Sequence, residues 1–333
     1  MKNRKNLFSI LLLVLMVIML TGCGNKDPEA MSRPIEGFTE FWDLFVYPMA
    51  GIMWVIGKTI GFGNYAVTII ISTLVVRTIA WPIYAKTNDM QVKMQIVQPE
   101  VEKIQKRYAG KEDQESKQRM AMEQMQLYKK YGIGFGGCLM PLIQMPIFIG
   151  FYRTISRIPN SIIAGNWIGK VFEGNTTLFG VDMMLTQNQI LDETGKVIEA
   201  TGWTTQKIGV IVLAALVGIT QIISIILSNK RQKKQQEKQV SNIPEYRRPQ
   251  QNEQQQMTQK TMQFMLYFMA VMMVVFVWNS PAGLGLYWVV GNIYSTIQSW
   301  VGQLNPEKRM EKMKQKIYKK GFKRWKQKYI KVF

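Results

Sequence analysis

The sequence predicts an all-α integral membrane protein. Five transmembrane helices surround a polar groove open to the cytoplasm, with a cytoplasmic helical hairpin and an external amphipathic helix. Three observations predict this class. Hydrophobic residues make up 47% of the chain, yet mean hydropathy is only −0.05, so apolar and charged residues are segregated into blocks. Several apolar blocks approach the roughly 20 residues that a helix needs to cross a bilayer. The net charge of +20, from 42 Lys+Arg against 22 Asp+Glu, is concentrated in alternate connecting segments. The chain has no histidine and two cysteines. Imidazole acid–base catalysis, His-ligated metals and a disulfide framework are therefore excluded, and no metal or cofactor is expected.

Residues 1–22 read as a signal peptide. Lys2, Arg4 and Lys5 precede an apolar run from Leu7 to Leu20, the n-region and h-region of a secretory signal. The run ends in Leu20-Thr21-Gly22-Cys23, which resembles a bacterial lipobox. Cleavage there leaves Cys23 as a lipidated first residue, a palmitate-type anchor. The alternative is a short first transmembrane helix. Its 14 residues reach only about 21 Å at about 1.5 Å per residue, short of a core roughly 30 Å thick.

Residues 23–63 form an external segment. Within it, 38–62 are apolar and aromatic but interrupted by Asp43, Pro48 and Lys58, which predicts an amphipathic surface helix. The five-helix core spans 64–303, with transmembrane helices at about 64–85, 134–156, 207–228, 261–278 and 283–303. Charge orients them. Segment 86–133 has 10 basic and 7 acidic residues, 229–260 has 8 and 3, and the tail 304–333 has 12 and 2. Segment 157–206 has 3 and 5, and residues 24–53 have 2 and 5. The positive-inside rule places the N-terminus outside and the C-terminus in the cytoplasm. An odd number of spans connects those two sides, and the lipobox requires the same orientation.

Segment 86–133 reads as two antiparallel helices meeting near Ala109-Gly110-Lys111. Met90, Met94, Val97 and Val101 share one face, and Met120, Met122, Met125 and Tyr128 recur in the second half. This stripe suits ordinary packing of the hairpin or an adaptable surface for varied partners. The tail carries Trp325 and Tyr329 among its basic residues, a composition suited to ribosomal RNA or to anionic lipid.

Arg77 is the candidate functional residue. It lies inside the first span, and the five spans contain no Asp or Glu. A charge at the centre of a spanning helix costs about 2.5–3.5 kcal/mol on insertion scales. Two arrangements accommodate it: snorkelling toward the inner headgroups, or a water-filled cavity with a partner supplied from outside the chain. Gln144 on the second span, Thr220, Gln221 and Ser224 on the third, and Asn292, Ser295, Thr296 and Gln298 on the fifth favour the cavity. Pro141 and Pro146 would kink the second span and help open it.

Four segments in order, VVRTIAWP at 75–82, Gln98-Pro99-Glu100, GCLMPLIQMPIFIGFY at 137–152 and PAGLGLYWVVGNIYSTIQ at 281–298, resemble the YidC family of membrane protein insertases. The lipobox resembles its Gram-positive branch. The resemblance implies a groove open to cytoplasm and lipid and closed outside, with Arg77 as the groove arginine and Gln221 and Trp288 as groove neighbours. It implies an insertase and folding chaperone of the bacterial cell membrane, not an enzyme. Its partners would be nascent membrane proteins, the ribosome, the Sec translocon and anionic lipids. Two alternatives share the same sequence features: an assembly chaperone acting only beside the Sec channel, and a small-solute transporter. The external segment 157–206 is longer than this branch leads one to expect, and LDETGKVIEATGW at 191–203 has the character of an insertion. Gly285 stands where the family often has Ala.

Overall fold

The computed structural model describes residues 33–111, 113–133, 140–192, 197–241, 253–302, 311–313 and 315. The signal peptide, Cys23 and nearly all of the basic tail lie outside the described residues.

Helix α1 (Asp43–Lys58) begins where the Asp43 carboxylate accepts hydrogen bonds from the Thr39 and Glu40 backbone N–H groups at 2.8 and 3.0 Å. Val46, Ala50 and Met53, at helical spacing, form its buried face, while Leu44 and Val55 stay exposed. A helix stands where the sequence predicts one over 38–62, trimmed at both ends. Helix α2 (Tyr65–Ile79) is capped by Asn64, whose side chain accepts the Val67 N–H at 3.0 Å. It stops at Ala80, and α3 (Trp81–Arg107) begins at once with a proline in its first turn. Pro82 has no N–H to continue the previous ladder. The expected first span over 64–85 is therefore broken, and its last five residues belong to α3.

The predicted hairpin is α3 paired with α4 (Gln114–Lys130). The turn uses Gly110 at φ +81°, a conformation that glycine adopts without steric cost. Asp113 caps α4 by accepting the Ser116 N–H at 2.8 Å. Val97, Val101 and Ile133 form a small core joined by Met90, Leu127 and Tyr128. Arg107 pairs with Glu123 across the hairpin at 2.8 Å. The methionine stripe divides: Met90 packs inside, whereas Met94, Met122 and Met125 are exposed.

Helix α5 (Met140–Ile163) runs further than the expected 134–156 at its C-terminal end, and residues 134–139 lie outside the described residues. A one-turn helix α6 (Gly169–Phe172) follows. The segment 157–206 then departs from all-α: β1 (Thr177–Leu178) pairs antiparallel with β2 (Val181–Asp182), and β3 (Gln189–Leu191) with β4 (Val197–Glu199). The second ribbon lies in the stretch read as inserted. β1 and β2 meet at the tight turn Phe179-Gly180, both at positive φ, and each ribbon contains β-branched residues, a local pattern too short to register against the helical periodicity. Helix α7 (Thr205–Ser241) extends well beyond the expected 207–228. Helices α8 (Glu253–Trp278) and α9 (Ala282–Gly302) are joined by the short turn around Asn279 and Ser280.

Helix α9 sits at the centre, between α2 and α7, with α8 against α7 and α1 lying across α5 and α2. One core runs through all of them and includes Met53, Tyr65, Ile69, Phe151, Phe172 and Leu284. Among the described residues, Thr205–Lys234 is the segment both long and apolar enough to cross a membrane unaided, while Tyr65–Ile79 and Gln263–Trp278 are apolar but shorter. Helix α9 carries Asn, Ser, Thr and Gln because its neighbours, rather than lipid, cover most of its surface.

Candidate functional site

Arg77 lies in the last turn of α2. Its guanidinium turns onto α9, where Nη1 donates to Ser295 Oγ at 2.6 Å. The seat exists because residue 291 is glycine. A Cβ built there would lie 2.7 Å from Arg77 Nη2. Gly291 and Ser295 are in the middle of the 21-residue α9, about 14 to 20 Å from its outer end at about 1.5 Å per residue. The charge thus sits at mid-depth of the helix beside it, although its Cα lies near the end of its own helix. Tyr84 approaches the guanidinium, with its ring centroid 6.0 Å from Cζ. The Tyr287 hydroxyl shares the same neighbourhood. Among the described residues no carboxylate pairs with Arg77.

Two arginines of α5 form the contrast. Arg153 Nη1 pairs with Glu40 at 2.6 Å, and its guanidinium also faces the Trp42 ring. Arg157 pairs with Asp43, with both side chains nearly inaccessible, and donates to the Arg33 and Pro34 carbonyls. The sequence reading passed over both arginines, though a signal was present. Arg153 and Arg157 are spaced four apart, on one side of a helix, and Glu40 and Asp43 lie close together in sequence. Arg153 and Arg157 have carboxylates, and Arg77 is held by a hydroxyl and a glycine.

The remaining predicted residues divide between two seams of α9. Asn292 Nδ2 donates to Thr220 Oγ1 at 3.2 Å, bridging α9 to α7 one residue from the Arg77 seat. Gln221 and Ser224 are half-buried on the same stretch of α7. Trp288 is packed rather than open: it stacks on Phe148 and meets Phe276 edge-on, with both centroids at 5.4 Å. Gln144 belongs to α5, but its side chain lies outside the described residues. Gly291 could not be singled out from sequence, because a glycine in a spanning helix has many roles. Gln298, one turn beyond Ser295, is buried with its Nε2 lacking a hydrogen-bond partner.

The N-terminal end of α9 meets a hydrogen-bonded loop. Asp182 N–H donates to Gln206 Oε1, and Gln206 Nε2 returns bonds to the Asp182 and Leu185 carbonyls. Thr176 donates to the Asp182 carboxylate at 2.8 Å. The first N–H groups of α9 then find acceptors in the same loop: Ala282 donates to Leu185 O at 3.0 Å and Gly283 to Met183 O at 2.7 Å. These bonds satisfy helix-terminal donors that would otherwise need water.

A family model described as 60Kd inner membrane protein matches residues 55–312. The chain belongs to that family. This 60Kd inner membrane protein homologue is 36% identical over 151 residues to the membrane protein insertase MisCA of Bacillus subtilis strain 168, covering 44% of this chain and 55% of that one. It is 37% identical over 164 residues to membrane protein insertase YidC 2 of Listeria innocua, covering 47% and 55%. It is 36% identical over 160 residues to membrane protein insertase YidC of Oceanobacillus iheyensis, covering 47% and 60%. The matched region spans little more than half the length of these relatives. Membership of this family makes the chain a mostly helical membrane protein, as the sequence motifs imply.

The Gly291 seat yields a test. In Gly291→Val the new side chain occupies the guanidinium's position. Arg77 is long and flexible, so it swings away at little cost to folding but loses Ser295. The expected outcome is unchanged thermal stability, with functional defects confined to those of Arg77→Ala. Full activity in Gly291→Val would show that the seat is irrelevant.

Proposed function

We propose that this protein is a membrane protein insertase and folding chaperone, which moves nascent membrane proteins into the bilayer through a hydrated groove centred on Arg77. The observation that carries the reading is a guanidinium at mid-depth of α9, held by Ser295 and the Gly291 gap with no carboxylate partner among the described residues. Such a charge is costly in hydrocarbon and useful where an incoming carboxylate can meet it.

The proposed topology is five spans over α2, α5, α7, α8 and α9, with α1 outside and the α3–α4 hairpin in the cytoplasm. Cys23 is the lipid anchor on the outer side. The bonded loop around Asp182 and Gln206 supports closure of the outer end. A translocated acidic segment enters from the cytoplasm, is drawn toward Arg77 and then leaves outward, helped by a membrane potential worth about 2.3 kcal/mol per charge per 100 mV. The substrate's apolar helix partitions into lipid beside the spans and supplies the net drive. Thr220, Gln221, Ser224 and Asn292 keep the path polar, and Gln144 and Trp288 border it. No bond is made or broken.

Site-specific crosslinking from position 221 to ribosome-stalled nascent chains tests the reading. Adducts to the substrate's first apolar helix are expected. Crosslinks absent from 221 yet present at lipid-facing positions of α8 would refute the groove. Substrates inserted after depletion of the Sec channel separate independent insertion from assembly work beside that channel.

The tail carries a further expectation. Truncation after Asn305 removes 12 basic residues and should weaken ribosome co-sedimentation steeply at low salt. Loss of binding to phosphatidylglycerol vesicles alone, with ribosome binding intact, would assign the tail to the membrane surface instead.

A further inference from the structure

A second recess lies away from the Arg77 region, between the end of α1, the start of α2 and α6. Its walls are Trp54 and Trp167, and its charged groups are Lys58 and Lys170. The two indoles meet edge to face with centroids 6.3 Å apart, and Lys58 Nζ sits 4.6 Å above the Trp54 ring. Gly57 and Gly63 form the floor. A Cβ at 57 would lie 2.8 Å from the Phe172 ring, and Gly63 adopts φ +72°. Among the described residues neither lysine has an ion-pair partner. The chain between Lys58 and Gly63 carries Ile60 and Phe62, both exposed. Phe62 is 85% accessible and is held at φ +50°. Left-handed backbone is costly for a bulky residue, and presenting its ring to water would add to the cost.

We propose that this recess binds the headgroup of an anionic phospholipid, with the phosphate between Lys58 and Lys170, the glycerol on the tryptophans, and Phe62 dipping among the acyl chains. Depth and chemistry point to the same ligand. Gly63 is two residues from the first residue of α2, so the recess lies at the level where that helix leaves the bilayer. Tryptophan rings and lysine ammoniums are the side chains suited to that interface. Two unpaired lysines supply the charge complement to a phosphodiester. The proposal rests on the function proposed above only in taking α2 as a spanning helix, and its test does not involve insertion.

The full-length protein is placed in phosphatidylcholine nanodiscs doped with brominated phosphatidylglycerol or, separately, brominated phosphatidylcholine. Quenching at the recess is the signal lost in a Trp54→Phe/Trp167→Phe variant. Preferential quenching by the phosphatidylglycerol is expected, and Lys58→Gln and Lys170→Gln should each weaken that preference about fivefold. Native mass spectrometry of the Lys58→Gln/Lys170→Gln protein, whose altered residues are exposed, checks the same loss by counting retained phosphatidylglycerol. Equal quenching by both lipids would overturn the headgroup site. Abolition of the preference by millimolar glycerol phosphate in solution would also overturn it, in favour of a soluble phosphate ligand. Either failure leaves the Arg77 reading intact, because a dead groove and an empty recess are scored in different assays.

Discussion

Arg77→Ala should abolish most insertion of substrates whose translocated segment carries Asp or Glu, while leaving substrates with neutral segments nearly untouched. Opposite charges about 4 Å apart gain about 4 kcal/mol at an effective dielectric near 20. Water in an open groove weakens this. Retaining about a third of it still corresponds to about a tenfold rate difference per acidic residue. The seat narrows the expectation for other variants. The Ser295 hydroxyl and the Gly291 gap orient a planar guanidinium, but attraction of a carboxylate needs charge rather than a fork. Arg77→Lys should therefore keep most activity, and Arg77→Gln, polar but neutral, should behave like Ala. Ser295→Ala should have a smaller effect than either, since it loosens the charge without removing it. Reconstituted vesicles with paired substrates, differing only in whether the translocated segment is acidic or amidated, make the measurement. Equal defects on both substrates would mean that Arg77 supports the fold rather than the passage.

Why the arginine was legible while its seat was not follows from what each requires. An ionised residue within an apolar run is costly wherever it sits, so sequence alone marks Arg77. Gly291 and Ser295 acquire meaning only when α9 lies against α2, a contact between residues more than 200 positions apart. Trp288, which the family resemblance implies as a groove neighbour, packs against Phe148 and Phe276, contacts that likewise arise only in the folded chain. The hairpin was readable because its instructions are local. Gly110 sets the turn, Asp113 caps α4 and apolar residues repeat at helical spacing. The break at Ala80 was also local, written by Pro82, but the continuous apolar run masked it. The ribbons were missed because strands of two or three residues have no period to detect. The first is tied down by Asp182 and Gln206, which meet only in the folded chain.

Asp43→Ala should be the most destabilising single change where α1 packs on α5. Asp43 is fully buried and receives Thr39 N–H, Thr39 Oγ1, Glu40 N–H and the Arg157 guanidinium. Removing it unties the turn at Thr39 and Glu40 that leads into α1 and leaves Arg157 charged in a dry site, where breaking one side of a buried pair costs about 3–5 kcal/mol. Replacing both partners, as Asp43→Leu/Arg157→Met, should recover much of the loss, because no orphaned charge remains. The exposed pair Glu115–Arg119 on α4 is the control, since such pairs contribute well under 1 kcal/mol. The pH dependence has a definite sign. Burial pushes the Asp43 carboxyl up, but the Thr39 and Glu40 hydrogen bonds and the Arg157 charge outweigh it and hold the group below its ordinary value of 3.8. A carboxyl depressed in the folded state stabilises fully above its unfolded value and loses that contribution as pH falls toward the folded one. Thermal unfolding of the detergent-solubilised protein should therefore be flat in its Asp43 contribution from neutral pH down to about pH 5, then decline more steeply in wild type than in Asp43→Leu/Arg157→Met. Parallel declines in the two proteins would show that this buried pair does not govern the acid stability of the packing of α1 on α5.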